Sequence, residues 1–396
     1  MSTVPGSLFR RILFWIHLGC GVCAGLVILL MSATGVLLAY EHQLIDSAAR
    51  SNYSLAAPGT PRLTADALAA RARAQAASGG RLSLVFDADP RAPVAVSAGR
   101  DDIALLDPYT GAALADATTG RRAFFGKVER LHRWMGGDAR GAGATLIDAA
   151  NLLFLFLIAS GIYLWLPAVW RWRTLRGLVL LRTKYVNGKV RDFSWHHVFS
   201  LWAFIPLFLI ALSGVVMSYP WANRLVYAAY GEQAPQRTGP PAGEGGQRRR
   251  GSDPAPGGEA TAPGASLQQL LDTAMAQDAG WQRITLPLQL PGDHVDVTLE
   301  LKSAARRAPR RTLTLSTADA HVIAAPPAQA SAQSPGQRTR SWLRFVHTGE
   351  QYGLAGQTIA GLASLAACFL AYSGLALAWR RLILPLYRRA PTRAAG

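Results

Sequence analysis

Four histidines stand at the edges of long apolar runs, and their type and spacing suggest metal binding. His17 lies at the start of the run WIHLGCGVCAGLVILLMSATGVLLAY, and His196 at the start of WHHVFSLWAFIPLFLIALSGVVMSY. His132 and His347 lie in short basic and aromatic segments, each followed by a further apolar run. Burying an imidazole at a membrane edge without a partner is costly, and imidazole is a common iron ligand. We therefore expect two metal centres, each held by two histidines.

The order of features is the same in both halves of the chain, which indicates an internal repeat. Each half has an apolar run, a soluble insert, a histidine-containing segment and a second apolar run. A glycine follows eighteen residues after His17 and after His196, at Gly35 and Gly214. This correspondence pairs His17 with His196 at one membrane face and His132 with His347 at the other.

Other histidines compete with these four. His197 follows His196 and points about 100° away on a helix, so either residue is a candidate ligand, and His197 is also a candidate for a supporting role. His42 has no histidine counterpart in the second half, so we expect a substrate-side or surface residue, with ligation as the alternative. His294 and His321 fall in strand-like segments and are expected at the surface.

Arginines flank both histidine pairs, and two interpretations remain open for them. They either set the membrane topology or pair with the propionates of a haem. The residues are Arg10, Arg11 and Arg191 beside the first pair, and Arg133 and Arg344 beside the second.

The distribution of charge argues for a membrane protein and against a nucleic-acid partner. The 396 residues are 50% hydrophobic and include 41 Lys and Arg against 24 Asp and Glu. The segments predicted to be cytoplasmic are strongly basic and contain one acid, Asp192, as the positive-inside rule requires. Cys20, Cys23 and Cys368 all lie in apolar runs, so we expect no disulfide in the inserts and only helix packing from the Cys20–Cys23 pair.

The apolar runs predict an α-helical membrane protein with four transmembrane helices, built as a duplicated helix–insert–helix unit with two outward α+β modules. In each module one helix precedes several short strands, and the sequence DPYTG at residues 107–111 predicts a turn in the first. Pro206 predicts a kink within the third span. The predicted segments are a cytoplasmic tail (1–11), span one (12–40), module one (41–128), an interfacial segment with span two (129–166), a basic cytoplasmic loop (167–194), span three (195–219), a low-complexity linker with module two (220–345), span four (346–379) and a cytoplasmic tail (380–396).

Other catalytic motifs are absent from the sequence. It contains no GxGxxG after a strand, no P-loop and no HExxH. Any electron donor, whether a cytoplasmic protein or a quinol, is therefore expected to be a separate molecule.

Several of these segments together resemble the PepSY-associated transmembrane family. They are WIHLGCG, LHRWMG, SGIYLWLP, WHHVFS, VHTGEQYGLAGQ and SGLALAWRR, and the DPYTG turn resembles that of a PepSY module. Ser200 departs from the family pattern, where a glycine is expected, and the second module has no clear DPxTG.

The resemblance implies a bacterial inner-membrane protein with periplasmic PepSY-like modules and two haem b groups that reduces a ferric siderophore. It implies His17 and His196 as the inner haem ligands, and His132 and His347 as the outer ones. Two alternatives stay open: a haem-free, membrane-anchored PepSY protein that binds partners or regulates a peptidase, and a di-haem conduit to another periplasmic acceptor.

Overall fold

The computed structural model describes residues 8–56, 59–75, 81–98, 101–167, 171–182, 184–235, 264–290, 292–302, 309–326 and 334–388. Most of the low-complexity segment and of the second linker, residues 236–263 and 327–333, lies outside this range. Within the described residues there are thirteen α-helices and eight strands. The helices are α1 (Leu8–Leu38), α2 (Glu41–Ala49), α3 (Ala65–Gln75), α4 (Thr119–Trp134), α5 (Ala142–Trp165), α6 (Trp172–Val179), α7 (Gly188–Trp202), α8 (Phe204–Ser218), α9 (Pro220–Ala228), α10 (Leu267–Ala276), α11 (Pro335–His347), α12 (Gly353–Leu382) and α13 (Leu384–Arg388).

Three helical segments are long and apolar enough to cross a membrane, and a bent pair makes a fourth candidate. The three are Leu8–Asn52, Ala142–Trp165 and Glu350–Tyr387, and the bent pair is α7 with α8. The protein is therefore a membrane protein with three or four candidate spans.

The break in the third predicted span lies at Ala203, which corrects the expected kink at Pro206. The two helices meet there at 71°. Pro206 has no N–H for the carbonyl oxygen of Trp202, and its ring would crowd that carbonyl, so the first helix ends at Trp202, four residues before the proline. Helical hydrogen bonding resumes at Leu207, whose N–H donates to the carbonyl oxygen of Ala203 at 2.9 Å.

The chain divides into two compact units. One contains residues 1–41, 123–234 and 334–396, and the other contains residues 42–122 and 235–333. In the first unit, α1 packs against both α5 and α12, α7 packs against α12, and α8 packs against α5 and α11. Helix α6 and the first residues of α7 occupy much of the segment predicted as a basic loop.

The second unit contains one antiparallel sheet to which both inserts contribute. Its strands are β1 (Leu82–Asp87), β2 (Val94–Ala98), β3 (Asp101–Leu106), β4 (Ala113–Leu114), β5 (Trp281–Pro287), β6 (His294–Leu301), β7 (Arg310–Ser316) and β8 (Val322–Ala324). They are arranged in the order β4-β3-β2-β1-β5-β6-β7-β8. Strands β1 and β5 join the inserts, with Val85 opposite Thr285. Two separate small sheets were expected, and instead the inserts share one sheet.

Helices α3 and α10 are fixed to each other by reciprocal hydrogen bonds at their first turns. Asp66 on α3 accepts from the N–H of Leu267 at 2.9 Å, and Gln268 on α10 accepts from the N–H of Ala65 at 2.8 Å. Leu68 and Leu270 from these helices are buried in a core with alternate residues of the strands, such as Leu84 and Ile284. The predicted DPYTG turn is confirmed: Asp107 accepts from the N–H groups of Tyr109 and Thr110, and Gly111 has φ +69°.

Candidate functional site

The four predicted histidines all lie in the first of the two units, which we call the helical unit. Nδ1 of each lies within hydrogen-bond distance of a buried hydroxyl on another helix. His17 on α1 is the first case. Its Nδ1 lies 2.8 Å from Oγ of Ser160 on α5, and that hydroxyl donates to the carbonyl oxygen of Phe156 at 2.7 Å. Because the hydroxyl proton is used by the carbonyl, the oxygen accepts the proton of Nδ1. Nε2 of His17 is then the unprotonated nitrogen, which is the form that ligates a metal.

His196 on α7 has the same arrangement with α12. Its Nδ1 lies 3.0 Å from Oγ of Ser373, which donates to the carbonyl oxygen of Phe369 at 2.6 Å. His197 does not share this contact, since its Nδ1 lies 3.0 Å from the carbonyl oxygen of Phe193 on its own helix and its ring packs on Phe193. His17 and His196 are close enough to interact electrostatically.

The second pair follows the same rule. Nδ1 of His132 on α4 lies 2.8 Å from Oγ1 of Thr34 on α1, and this hydroxyl donates to the carbonyl oxygen of Leu30 at 2.8 Å. Nδ1 of His347, the last residue of α11, lies 3.1 Å from Oγ of Ser213 and 2.9 Å from the carbonyl oxygen of Ile210, both on α8.

His132 and His347 are neutral imidazoles at pH 7. Burial, together with the nearby His347, lowers the pKa of His132 to about 4. Burial also lowers the pKa of His347. A neutral ring with a protonated Nδ1 has a free lone pair on Nε2. Both rings are therefore in the form that a metal requires.

The two pairs lie at well-separated levels of the helical unit. Thr34, the partner of His132, comes seventeen residues after His17 on the same helix. At the rise of an α-helix this separation is about 25 Å along the axis. That distance is comparable to the ~30 Å thickness of a hydrocarbon core.

Glycines next to the hydroxyl residues leave room for the imidazoles. A Cβ placed on Gly161 would lie 3.3 Å from Cε1 of His17, and one on Gly374 would lie 3.4 Å from Cε1 of His196. Gly35 is similar, at 3.7 Å from Cε1 of His132. Gly214 differs, because the atom next to it is Nδ2 of Asn151 at 2.7 Å.

The flanking arginines have protein partners in the structure, apart from the exposed Arg11. Arg10 donates to the carbonyl oxygens of Leu164 and Leu166 at the end of α5, at 2.7 and 3.0 Å. Arg191 pairs with Asp192 at 3.0 Å and covers the ring of Trp195. Beside the second histidine pair, Arg133 pairs with Glu129 at 2.9 Å and covers Trp134, and Arg344 lies over Phe345.

The remaining histidines lie outside these pairs. His42 is on α2. His294 and His321 are exposed and contact the carboxylates of Asp293 and Asp319. The hydrogen bond from His321 lowers the pKa of Asp319 to about 2.

The donor set fits a haem better than a bare metal ion. Within the described residues, no group of three or more His, Cys, Asp and Glu side chains is placed to hold a metal ion. A structural zinc site needs about four protein ligands, whereas a low-spin haem iron takes two axial ligands and its four other ligands from the porphyrin. Two histidines that are close enough to interact electrostatically, among apolar helices, match the second requirement.

The chain matches the PepSY-associated TM region family over residues 14–381. This range overlaps all four candidate spans and contains both inserts. The protein belongs to the PepSY-associated TM region family. No curated protein matches the chain in a sequence search. Membership agrees with a membrane protein, and the histidines and their hydroxyl partners all fall within the matched range.

The sequence did not predict the hydroxyl partners, although it carries a signal for them. Thr34, Ser160, Ser213 and Ser373 each stand directly before a glycine inside an apolar run. The buried pair of Asp192 with Arg380 was likewise not predicted, because the two residues are 188 positions apart.

Proposed function

We propose that this member of the PepSY-associated TM region family is a di-haem membrane oxidoreductase that passes electrons across the inner membrane to a ferric siderophore in the periplasm. One haem b is held by His17 and His196, and the other by His132 and His347. The observation that carries the proposal is a shared contact: Nδ1 of each imidazole lies 2.8–3.1 Å from a hydroxyl on another helix, and that hydroxyl donates its own proton to a carbonyl oxygen. This arrangement favours a proton on Nδ1 and a free lone pair on Nε2.

The distance between the two pairs supports a role in transfer across the membrane. A bound haem supplies one-electron transfer at its iron. A separation of about 25 Å along α1 puts one pair near each side of a hydrocarbon core. The helices keep both sites within a single compact unit.

The direction of transfer follows from the distribution of basic residues. Arg10, Arg191 and Arg380 lie at the end of the helical unit that holds His17 and His196. The positive-inside rule places that end in the cytoplasm, so the donor, a cytoplasmic protein or a quinol, meets this pair. The inserts and the second pair then face the periplasm.

A ferric siderophore is the acceptor that the resemblance to siderophore-uptake reductases supports. Hydroxamate and catecholate oxygens are hard ligands and hold ferric iron much more tightly than ferrous iron. Adding one electron to the iron therefore loosens it without breaking a bond of the carrier. The electron balance is one electron from the separate donor for each ferric ion reduced to ferrous.

Two other functions remain as alternatives. The same family membership also fits a haem-free PepSY protein that binds a partner or regulates a peptidase. A di-haem conduit to another periplasmic acceptor has the same sites and a different oxidant. The histidine geometry favours a haem-containing protein over the first alternative. The second alternative differs from the proposed function only in its oxidant, so a comparison of acceptors distinguishes the two.

The test is the optical spectrum of the detergent-purified protein, oxidised and then reduced with dithionite, with haem quantified as the pyridine complex. We expect low-spin b-type bands and about two haems per chain. Reoxidation of the reduced protein by ferric siderophores, compared with other acceptors, then identifies the oxidant. A correctly folded protein that is colourless and takes up no added haem would contradict the proposal.

A further inference from the structure

Four hydroxyl groups contact the four histidines in the same way, and their common geometry suggests a common role. We infer that Thr34, Ser160, Ser213 and Ser373 are positioning residues that set the tautomer and the ring orientation of the histidines. This inference rests on the proposed function for its consequence, haem retention, although the tautomer itself can be measured without haem. A ligand histidine commonly donates its second nitrogen to an acceptor of the protein, which orients the ring.

Each hydroxyl is restricted to the acceptor role by its own helix. Ser160, Ser213 and Ser373 donate to the carbonyl oxygen four residues earlier at 2.7, 2.7 and 2.6 Å, and Thr34 does so at 2.8 Å. An oxygen whose proton is already donated presents only lone pairs to the imidazole. The alternative tautomer would place the lone pair of Nδ1 against that oxygen and lose a buried hydrogen bond.

Burial prevents water from replacing the hydroxyls. Ser213 and Ser373 are fully buried, and Ser160 and Thr34 are 5% exposed. A histidine that loses such a partner loses a buried acceptor for its Nδ1 proton. The imidazole is then free to rotate or to change tautomer, and both movements remove Nε2 from its place.

The contacts have the same pattern in both halves of the chain. The histidine of the first helix contacts a hydroxyl on the second long helix, as in His17–Ser160 and His196–Ser373. The histidine that precedes the second long helix contacts a hydroxyl on the first, as in His132–Thr34 and His347–Ser213. Two independent occurrences of one pattern of contacts favour a role in the sites over chance packing.

The four hydroxyls are not expected to contribute equally, so the inference also predicts the relative size of each effect. Within the described part of the chain, Ser160 is the one acceptor for Nδ1 of His17. His347 has a second acceptor, the carbonyl oxygen of Ile210 at 2.9 Å, besides Ser213 at 3.1 Å. Removing Ser160 should therefore have a larger effect than removing Ser213.

The experiment uses the full-length protein and two matched comparisons. Ser160→Ala and Ser213→Ala remove a hydroxyl that contacts a histidine. Ser194→Ala makes the same change at a buried serine of α7 whose hydroxyl has no hydrogen-bond partner among the described residues. At Thr34, the variant Thr34→Val keeps the shape and removes the hydroxyl, whereas Thr34→Ser keeps the hydroxyl.

Two readouts separate failure of this inference from failure of the proposed function. The first is the nitrogen NMR spectrum of histidine-labelled, haem-free protein, in which a protonated Nδ1 is expected for the four histidines. Ser160→Ala and Thr34→Val should each change one of these signals, while Ser194→Ala and Thr34→Ser should change none. The second readout is the rate at which haem passes to an excess of apomyoglobin.

For haem release we expect a ~10–100-fold faster transfer of one haem in Ser160→Ala and Thr34→Val, a smaller effect in Ser213→Ala and none in Ser194→Ala. Unchanged tautomers and unchanged haem release in Ser160→Ala and Thr34→Val would overturn the inference. An equal effect of Ser194→Ala would overturn it as well, because any buried serine would then act in the same way. A wild-type protein without haem would contradict the proposed function, and the tautomer measurement would still decide the inference.

Discussion

Asp192 on α7 is fully buried and forms an ion pair with Arg380 near the end of α12. Arg191 pairs with the other oxygen of the same carboxylate at 3.0 Å. The two arginine side chains are 29% and 38% exposed, so the carboxylate is the desolvated member of the cluster. This cluster fixes α7, and thus His196 one turn later, to the helix that carries Ser373.

Arg380→Gln is expected to destabilise the protein by about 2–4 kcal/mol, because it leaves the buried carboxylate with one cation instead of two. Asp192→Asn should have a smaller effect, since both arginines reach solvent. Unfolding in detergent measures both. The double variant Asp192→Asn with Arg380→Gln should lose less than the sum of the two single losses. Additive losses would show that the two residues act independently.

Much of the fold could be predicted from the sequence, because the relevant signals are local. Apolar runs mark the spans, and alternation marks strands such as β1 and β6. Pairing between β1 and β5 could not be predicted, since nothing in a strand specifies a neighbour from a distant insert. The position of the break at Ala203, before Pro206, depends on how the carbonyl of Trp202 is satisfied, which the sequence leaves open.

For the site, the sequence was informative about residue types and uninformative about their contacts. His17, His132, His196 and His347 were predicted from their places at the edges of the apolar runs. The choice between His196 and His197 needs the direction of the side chain, and only the former meets Ser373. The hydroxyl partners belong to other helices, so their role becomes visible only when the helices are packed.

Replacing His196 is expected to remove one haem, whereas replacing His197 is not. His196 contacts a hydroxyl of α12, and His197 contacts a carbonyl oxygen of its own helix, so only His196 has the inter-helix contact found at the other three proposed ligands. The measurement is the haem content of His196→Ala and His197→Ala, with His17→Ala and His347→Ala as one-haem references. Loss of a haem in His197→Ala, with both retained in His196→Ala, would reverse the assignment.

The haem-free protein is expected to lose stability as the pH falls from about 6.5 to about 4. Burial, with a further effect of His347, lowers the pKa of His132 from 6.5 to about 4 in the folded state. In this pH window the unfolded chain binds the proton and the folded protein does not, so the free energy of unfolding decreases as the pH is lowered. The whole shift corresponds to on the order of 3 kcal/mol.

Thermal unfolding in detergent above and below this window tests the expectation, with His132→Gln as the control. The control lacks the titrating group and should depend less steeply on pH, although His347 still contributes. Equal slopes for the wild type and the control would show that His132 is solvated in the folded protein.

The shared sheet predicts a specific cross-link between the inserts. Val85 on β1 lies directly opposite Thr285 on β5, and opposite residues of an antiparallel pair have Cα atoms about 4.5–5.5 Å apart. Cysteines at both positions therefore meet the Cα spacing that a disulfide needs, about 4.4–6.8 Å. Cys20, Cys23 and Cys368 should first be replaced by alanine to leave no other thiol.

Mild oxidation of the purified double variant should close this disulfide, which is detected by protease digestion and non-reducing electrophoresis. The control variant pairs Val85→Cys with a cysteine at Pro287, which lies opposite Ser83, so its sulfur atoms are two residues out of register. We expect the matched pair to close substantially faster. Equal rates, or no bond in the matched pair, would mean that the inserts fold as two separate sheets. Because β1 and β5 are the single junction in the strand order, this one bond distinguishes the two arrangements.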